Sequence, residues 1–113
     1  LANENFNFKN ISIESDQVTI DEENKQLAFK KNIKIKIDNY LIRGSEALLS
    51  HENEKLQIYG NPATISSSAI DGQAEVFEIF PNKSMNLIGN ARLSSEGNII
   101  TSNLITYQIS SNE

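Results

Sequence analysis

Apolar and polar residues alternate along most of this chain. Residues 32–38 read Asn, Ile, Lys, Ile, Lys, Ile, Asp, so Ile33, Ile35 and Ile37 share one face and Lys34 and Lys36 the other. Successive side chains of an extended strand point to opposite faces, and strict period two therefore marks a strand buried on one side. The alternation begins at Ile11 and Ile13, resumes at Val18 and Ile20, and recurs through residues 56–65 and 85–93. Polar and Gly/Asn/Pro clusters separate these runs: Asp21-Glu22-Glu23-Asn24, Asp38-Asn39, Ser50-His51-Glu52-Asn53, Pro81-Asn82-Lys83 and Ser95-Glu96-Gly97-Asn98. Such clusters close hairpins. No segment sustains apolar residues at helical spacing. Ala47-Leu48-Leu49 alone could be helical, but its counterparts Val18-Thr19-Ile20 and Ile105-Thr106-Tyr107 are strand-like. The pattern predicts an all-β protein.

The alternation also repeats. Leu56-Gln57-Ile58-Tyr59-Gly60-Asn61-Pro62-Ala63 and Met85-Asn86-Leu87-Ile88-Gly89-Asn90-Ala91 are the same phrase, with Gly60 to Gly89 and Asn61 to Asn90 each 29 positions apart. Leu27-Ala28-Phe29-Lys30-Lys31-Asn32-Ile33 occupies the preceding place, with Lys31 at the Gly position. The copies run over about 13–39, 42–68 and 70–98, with a partial copy over 99–110. One such unit cannot bury its apolar face alone, so stacked neighbours must supply the rest. A Gly-Asn step in mid-alternation predicts a bulge that bends the strand. Bends at one place in every copy fold the sheet into a flattened, open-ended tube of antiparallel strands.

The inner face of that tube is predicted to carry Ile20, Leu27, Phe29, Ile33, Ile35, Ile37, Leu49, Leu56, Ile58, Ile65, Phe77, Met85, Leu87 and Leu93, together with Ile13, Val18, Ala47, Ala63, Ile79, Ala91, Ile105 and Tyr107. The third hairpin is one residue longer than the others, eight positions from Phe77 to Met85 against seven from Ile20 to Leu27. That offset puts Glu75 on the inner side, where an unpartnered carboxylate is costly. Residues 1–10 read as a polar N-terminal arm, and 11–113 as a single domain.

The net charge of -5 on 113 residues changes the range of partners. Phosphate-backbone binding needs clustered cations, which argues against nucleic acid. Four of the ten basic residues, Lys30, Lys31, Lys34 and Lys36, do cluster. Their plainest role is a solvated face that resists edge pairing; contact with lipid phosphates is the sharper one. No apolar run approaches the roughly 20 residues of a spanning helix. With no cysteine there is neither a disulfide framework nor a thiolate metal site. Leu1-Ala2 is similar to the small-residue end of a removed secretory signal.

The sequence carries no catalytic constellation. His51 sits in a polar turn without a pattern that would supply a nucleophile and an orienting partner. Residues 21–24 lack the spaced ligands and Gly of a calcium loop. Ser66-Ser67-Ser68 has no nucleophile elbow around it, and phosphate-loop and dinucleotide fingerprints are missing. Neither an enzyme nor a cofactor is expected.

Ile13-Glu14-Ser15-Asp16-Gln17, Tyr59-Gly60-Asn61-Pro62-Ala63-Thr64, Leu87-Ile88-Gly89-Asn90-Ala91-Arg92-Leu93 and residues 99–107 together resemble the LptA/OstA-like periplasmic lipopolysaccharide-transport family, in order and over about 11–110. The resemblance implies a twisted β-jelly roll open at both ends, with a greasy interior. It implies a periplasmic, non-catalytic bridge that carries lipopolysaccharide, the lipid A acyl chains held in the groove, from the inner to the outer membrane. It further implies head-to-tail joining, to copies of itself and to homologous β-jelly-roll domains of the inner- and outer-membrane components. Two alternatives stay open: a periplasmic domain of a related component (LptC-like), and a jelly-roll carbohydrate-binding module. The latter usually presents exposed aromatics, whereas this chain has no Trp and scatters Tyr40, Tyr59 and Tyr107. A purely structural β-repeat filament is a further class, which lipid co-purification would separate.

Overall fold

A computed structural model describes residues 4–8, 11–81 and 83–109, the first of these segments as backbone only. The described residues form nine strands and no helix: β1 (Glu4–Phe8), β2 (Ile11–Ser15), β3 (Gln17–Asp21), β4 (Gln26–Ile37), β5 (Tyr40–Ser50), β6 (Lys55–Ser66), β7 (Ile70–Phe80), β8 (Ser84–Ser95) and β9 (Asn98–Gln108). They make one antiparallel sheet in the order β1-β2-β4-β5-β6-β7-β8-β9, with β3 pairing β4 beside β2. The polar clusters fall at the turns. At residues 21–24, for example, the Asn24 side chain and backbone N–H both donate to the Asp21 carboxylate, at 2.8 and 3.1 Å.

Each long strand is interrupted once, in β6 and β8 at the Gly-Asn phrase, in β4 at its Lys31-Asn32 counterpart, and in β5 and β7 at the positions paired across from it. The register slips between Lys30 and Ile33 in β4, Arg43 and Glu46 in β5, Tyr59 and Ala63 in β6, Gln73 and Val76 in β7, and Ile88 and Ala91 in β8. Because these slips are cross-strand neighbours, they form one crease across the sheet. At the crease Gly89 and Asn90 take φ of 87° and 46°, and Lys31 and Asn32 take 71° and 54°. Asn tolerates this left-handed region better than most residues, and Gly best of all. Both Asn side chains are anchored to an acid, Asn32 donating to Asp16 in the bend between β2 and β3 at 2.7 Å and Asn90 to Glu75 on the neighbouring strand at 2.9 Å.

The crease divides every long strand into two halves. Residues 26–30, 46–50, 55–59, 76–80, 84–88 and 104–108, with β3, form a first layer. Residues 33–37, 40–44, 63–66, 70–74, 91–95 and 98–102, with β1 and β2, form a second. The inward side chains of both halves belong to one buried cluster, in which Phe29, Ile35, Ile58, Phe77 and Leu87 have no exposed surface. The smallest extent of the molecule is 24 Å, which suits two sheets packed about 10 Å apart plus their outer side chains.

Two positions predicted on the inner face are not buried. Ile20 is 69% exposed. It lies opposite Leu27 and so on the inner face, but β3 is an edge strand whose inner side the second layer does not cover. Glu75 is exposed rather than inward. The slip in β7 leaves Ala74 and Phe77 both buried with two residues between them and turns Glu75 out to Asn90. The third hairpin is not longer, since Ile79 rather than Phe77 takes the place of Leu49 and Phe80 pairs with Ser84 across three residues where Ser50 and Lys55 enclose four. β2 is flanked by β1 and β4, so the free edges on that side are β1 and β3.

Candidate functional site

The space between the layers is lined almost entirely by hydrocarbon. The hairpin ladders set its lining row by row: Leu27 opposes Leu49, Leu49 opposes Leu56, and Leu56 opposes Ile79. In the second layer Ile35 opposes Ile42, and Ile42 opposes Ile65. Directly opposed apolar pairs are the unit of sheet stabilisation, and here the same pairs make the lining continuous. Of the predicted groove residues Leu27, Phe29, Ile33, Ile35, Ile37, Leu49, Leu56, Ile58, Ile65, Phe77, Met85, Leu87 and Leu93 are buried together, and Ile20 stands apart. Val18 and Tyr107 are half-buried at its margin.

Ile11, Ile42, Ile70, Ala74 and Ile109 are buried with this set but were not predicted as lining. Ile42 had a signal, lying 29 positions after Ile13. Ala74 had none, because its inward position exists only through the slip in β7. Ser15 is the one buried polar residue among those described, and its hydroxyl donates to the Gln17 carbonyl at 3.0 Å. No buried side-chain polar atom is left unpaired among the described residues. The described Asp, Glu and His residues form no group able to hold a metal. Such an interior can solvate acyl chains; it offers no group for proton transfer or nucleophilic attack.

The two layers are staggered at their ends. At one end the first layer projects beyond its cover, leaving Ile20 and Leu27 to line an open concavity of about 490 Å³ rimmed by Asp21, Glu22, Lys25, Gln26 and His51. At the other end the second layer projects. Ile100 lies on the inner face opposite Leu93, yet is 51% exposed. Leu104 and Ile99 are also exposed on β9, the edge strand there.

Away from the β9 edge the outer face carries charged and polar side chains. Lys34 and Lys36 face outward from β4, opposite Glu14 and Ser12 of β2. On the first layer a chain of contacts crosses four strands: Lys55 pairs with Glu78 at 3.7 Å, Asn86 donates to Glu78 at 3.2 Å, and Thr106 donates to Asn86 at 2.8 Å. Two tyrosines from opposite layers meet at the strand ends farthest from the crease. The Tyr40 and Tyr107 rings stand edge to face, centroids 6.2 Å apart at 81°, and the Tyr40 hydroxyl donates to that of Tyr107 at 3.3 Å. That hydrogen bond, reinforced by partial burial, pushes the Tyr40 phenol up to about 12.

Comparison with known proteins agrees with this geometry. The crystal structure of LptH from Pseudomonas aeruginosa, described as the LptA homologous periplasmic component of the conserved lipopolysaccharide transport device, superposes with a TM-score of 0.79. The match covers 88% of this chain and 76% of that one at 16% identity, a likeness that establishes the fold. No curated protein matches the sequence. Residues 12–113 match the family described as LptA/(LptD N-terminal domain) LPS transport protein. With nearly its whole length matched, the chain belongs to this family of lipopolysaccharide-transport proteins.

Proposed function

We propose that the chain is a non-catalytic bridge in the periplasm, holding the acyl chains of lipopolysaccharide between its two layers while sugars and phosphates stay in water. The observation that carries this reading is a continuous hydrocarbon interior whose lining runs out uncovered at both ends, at Ile20 and at Ile100. A plain core would gain nothing from exposed apolar margins. In a conduit they are where the next domain continues the lining. Each CH₂ buried there contributes about 0.8 kcal/mol, so a multiply acylated lipid is held without any polar contact. Transport energy must come from elsewhere, since nothing in the sequence resembles a nucleotide site.

The partners follow from the same edges. Unpaired strand edges on β1, β3 and β9 are templates for another sheet, and we infer head-to-tail addition of copies or of homologous domains at the inner and outer membranes. The carbohydrate-module alternative is disfavoured because Tyr40 and Tyr107 are half-buried against one another rather than displayed.

The test uses a photo-crosslinking residue at Ile35 or at Lys34, in folded protein supplied with lipopolysaccharide. Ile35 has no exposed surface, while its neighbour Lys34 faces outward. Capture at position 35 without capture at 34 is expected, because neighbouring side chains point to opposite faces. Equal capture at both would refute the face assignment. Absence of capture at Phe29, Ile33, Ile35 and Leu87 would return these residues to an ordinary core.

A further inference from the structure

The two long sides of the molecule are built differently. On the crease side each strand passes from one layer to the other as continuous backbone, and the approach is close: a Cβ at Gly44 would lie 2.7 Å from the Tyr59 carbonyl oxygen. That side cannot part without breaking ladders. On the opposite side the strands end in turns, around residues 22–25, 51–54 and 81–83 in the first layer and 38–39, 67–69 and 96–97 in the second. No strand ladder joins the two layers along this seam among the described residues.

Tyr40 opens β5 at the seam end of the second layer, and Tyr107 lies near the seam end of β9 in the first. Both sit on the inward phase of their strands, in step with Ile42 and Ile105. They come together from 67 positions apart in sequence. What joins them is weak: an edge-on ring contact and a 3.3 Å hydrogen bond, longer than the usual O–H···O distance.

We propose that Tyr40 and Tyr107 form a releasable latch across this seam, and that the seam is the portal through which an acylated, phosphorylated lipid enters sideways. This rests on the conduit reading above. The interior is filled by its own side chains, so acyl chains enter only if the layers separate. A charged headgroup cannot be drawn through a hydrocarbon lining, so it needs a slot open along its path. The seam supplies the slot, because parting it breaks no strand pairing. A tyrosine suits the boundary, with an apolar ring for the chains and a hydroxyl for the polar side.

The chain contains no cysteine, which makes the test clean. Tyr40→Cys and Tyr107→Cys are combined, and the two thiols are bridged by a short bismaleimide containing a reducible disulfide. Both sites are half-buried at strand ends, so the ladders remain. Uptake of purified lipopolysaccharide is read by native mass spectrometry. Wild type should load; the bridged protein should load far less than the same double variant unbridged, and reduction of the bridge should return it to the unbridged level. Equal loading of bridged and unbridged protein overturns the latch and leaves the conduit standing. Loss of loading in the unbridged variant, or after modification with a monofunctional maleimide, also overturns it, because the tyrosines then act as lining. A wild type that takes up no lipid overturns the conduit reading, and the latch with it.

Discussion

Replacing Gly44 with alanine tests the crease directly. Gly44 opposes Ile33 where β5 changes layer. An added Cβ would sit 2.6 Å from Cγ2 of Ile58 and 2.7 Å from the backbone oxygen of Tyr59. The first neighbour is a side chain without surface; the second is backbone held in the β6 ladder. Neither yields cheaply, and overpacking of this kind costs about 3 kcal/mol at the upper end of its usual range. Loss of glycine freedom in the unfolded chain returns roughly 0.5–1 kcal/mol. The net destabilisation is about 2 kcal/mol, a melting-temperature fall of roughly 8–12 °C for a domain of this size. Gly97→Ala is the control. It has no heavy atom within 4 Å of the new Cβ but a φ of 82°, so its cost is only the left-handed backbone, about 1 kcal/mol. Calorimetry of both variants decides the matter. If Gly44→Ala melts with or above Gly97→Ala, the crease is not the close-packed hinge described above.

Two further outcomes are expected. The Tyr40 phenol titrates near 10.0 when unfolded and is pushed up to about 12 in the fold, by its hydrogen bond to Tyr107 first, with burial and the charges of Tyr107 and Asp38 adding to it. Folding therefore favours the neutral form, so this contribution is complete below pH 10 and is lost as pH rises towards 12; denaturant titrations giving Tyr40→Phe the same alkaline slope as wild type would contradict it. The open β9 edge should support concentration-dependent association, weakened by Ile100→Lys with little loss of monomer stability because Ile100 is half exposed; light scattering that finds only monomer across a wide concentration range would remove the head-to-tail reading.

Much of this architecture is legible in the sequence because its two signals are local. Alternation assigns a face to each residue, and the repeated Gly-Asn phrase marks where strands bend. Coverage is a different matter. Ile20 has the same phase as Leu27, yet whether a second layer lies over it depends on how two halves of the sheet stagger, and no local pattern encodes that. Glu75 shows the related failure: Ile79, not Phe77, is the counterpart of Ile20 and Leu49, because it opposes Met85 as they oppose Leu27 and Leu56, and phase counted back from Phe77 through the bulge is wrong by one. Tyr40 and Tyr107 look scattered along the chain because their meeting is created by the packing of the layers.

The crease has a consequence for how such a protein can grow. A closed barrel fixes its strand number, since tilt and shear must match for the ends to meet. Here the sheet folds over a line instead of closing on itself, and each long strand pairs mainly with its neighbours in sequence. Strand number is then a free quantity. Duplicating one 29-residue unit inserts two bent strands and extends the body by about 10 Å, without altering any pairing outside the insertion. Assembly inherits the same freedom, because pairing between adjacent hairpins keeps loop closures short and lets order spread from whichever hairpin forms first. The length of the body is thus set by copy number, as in a ruler.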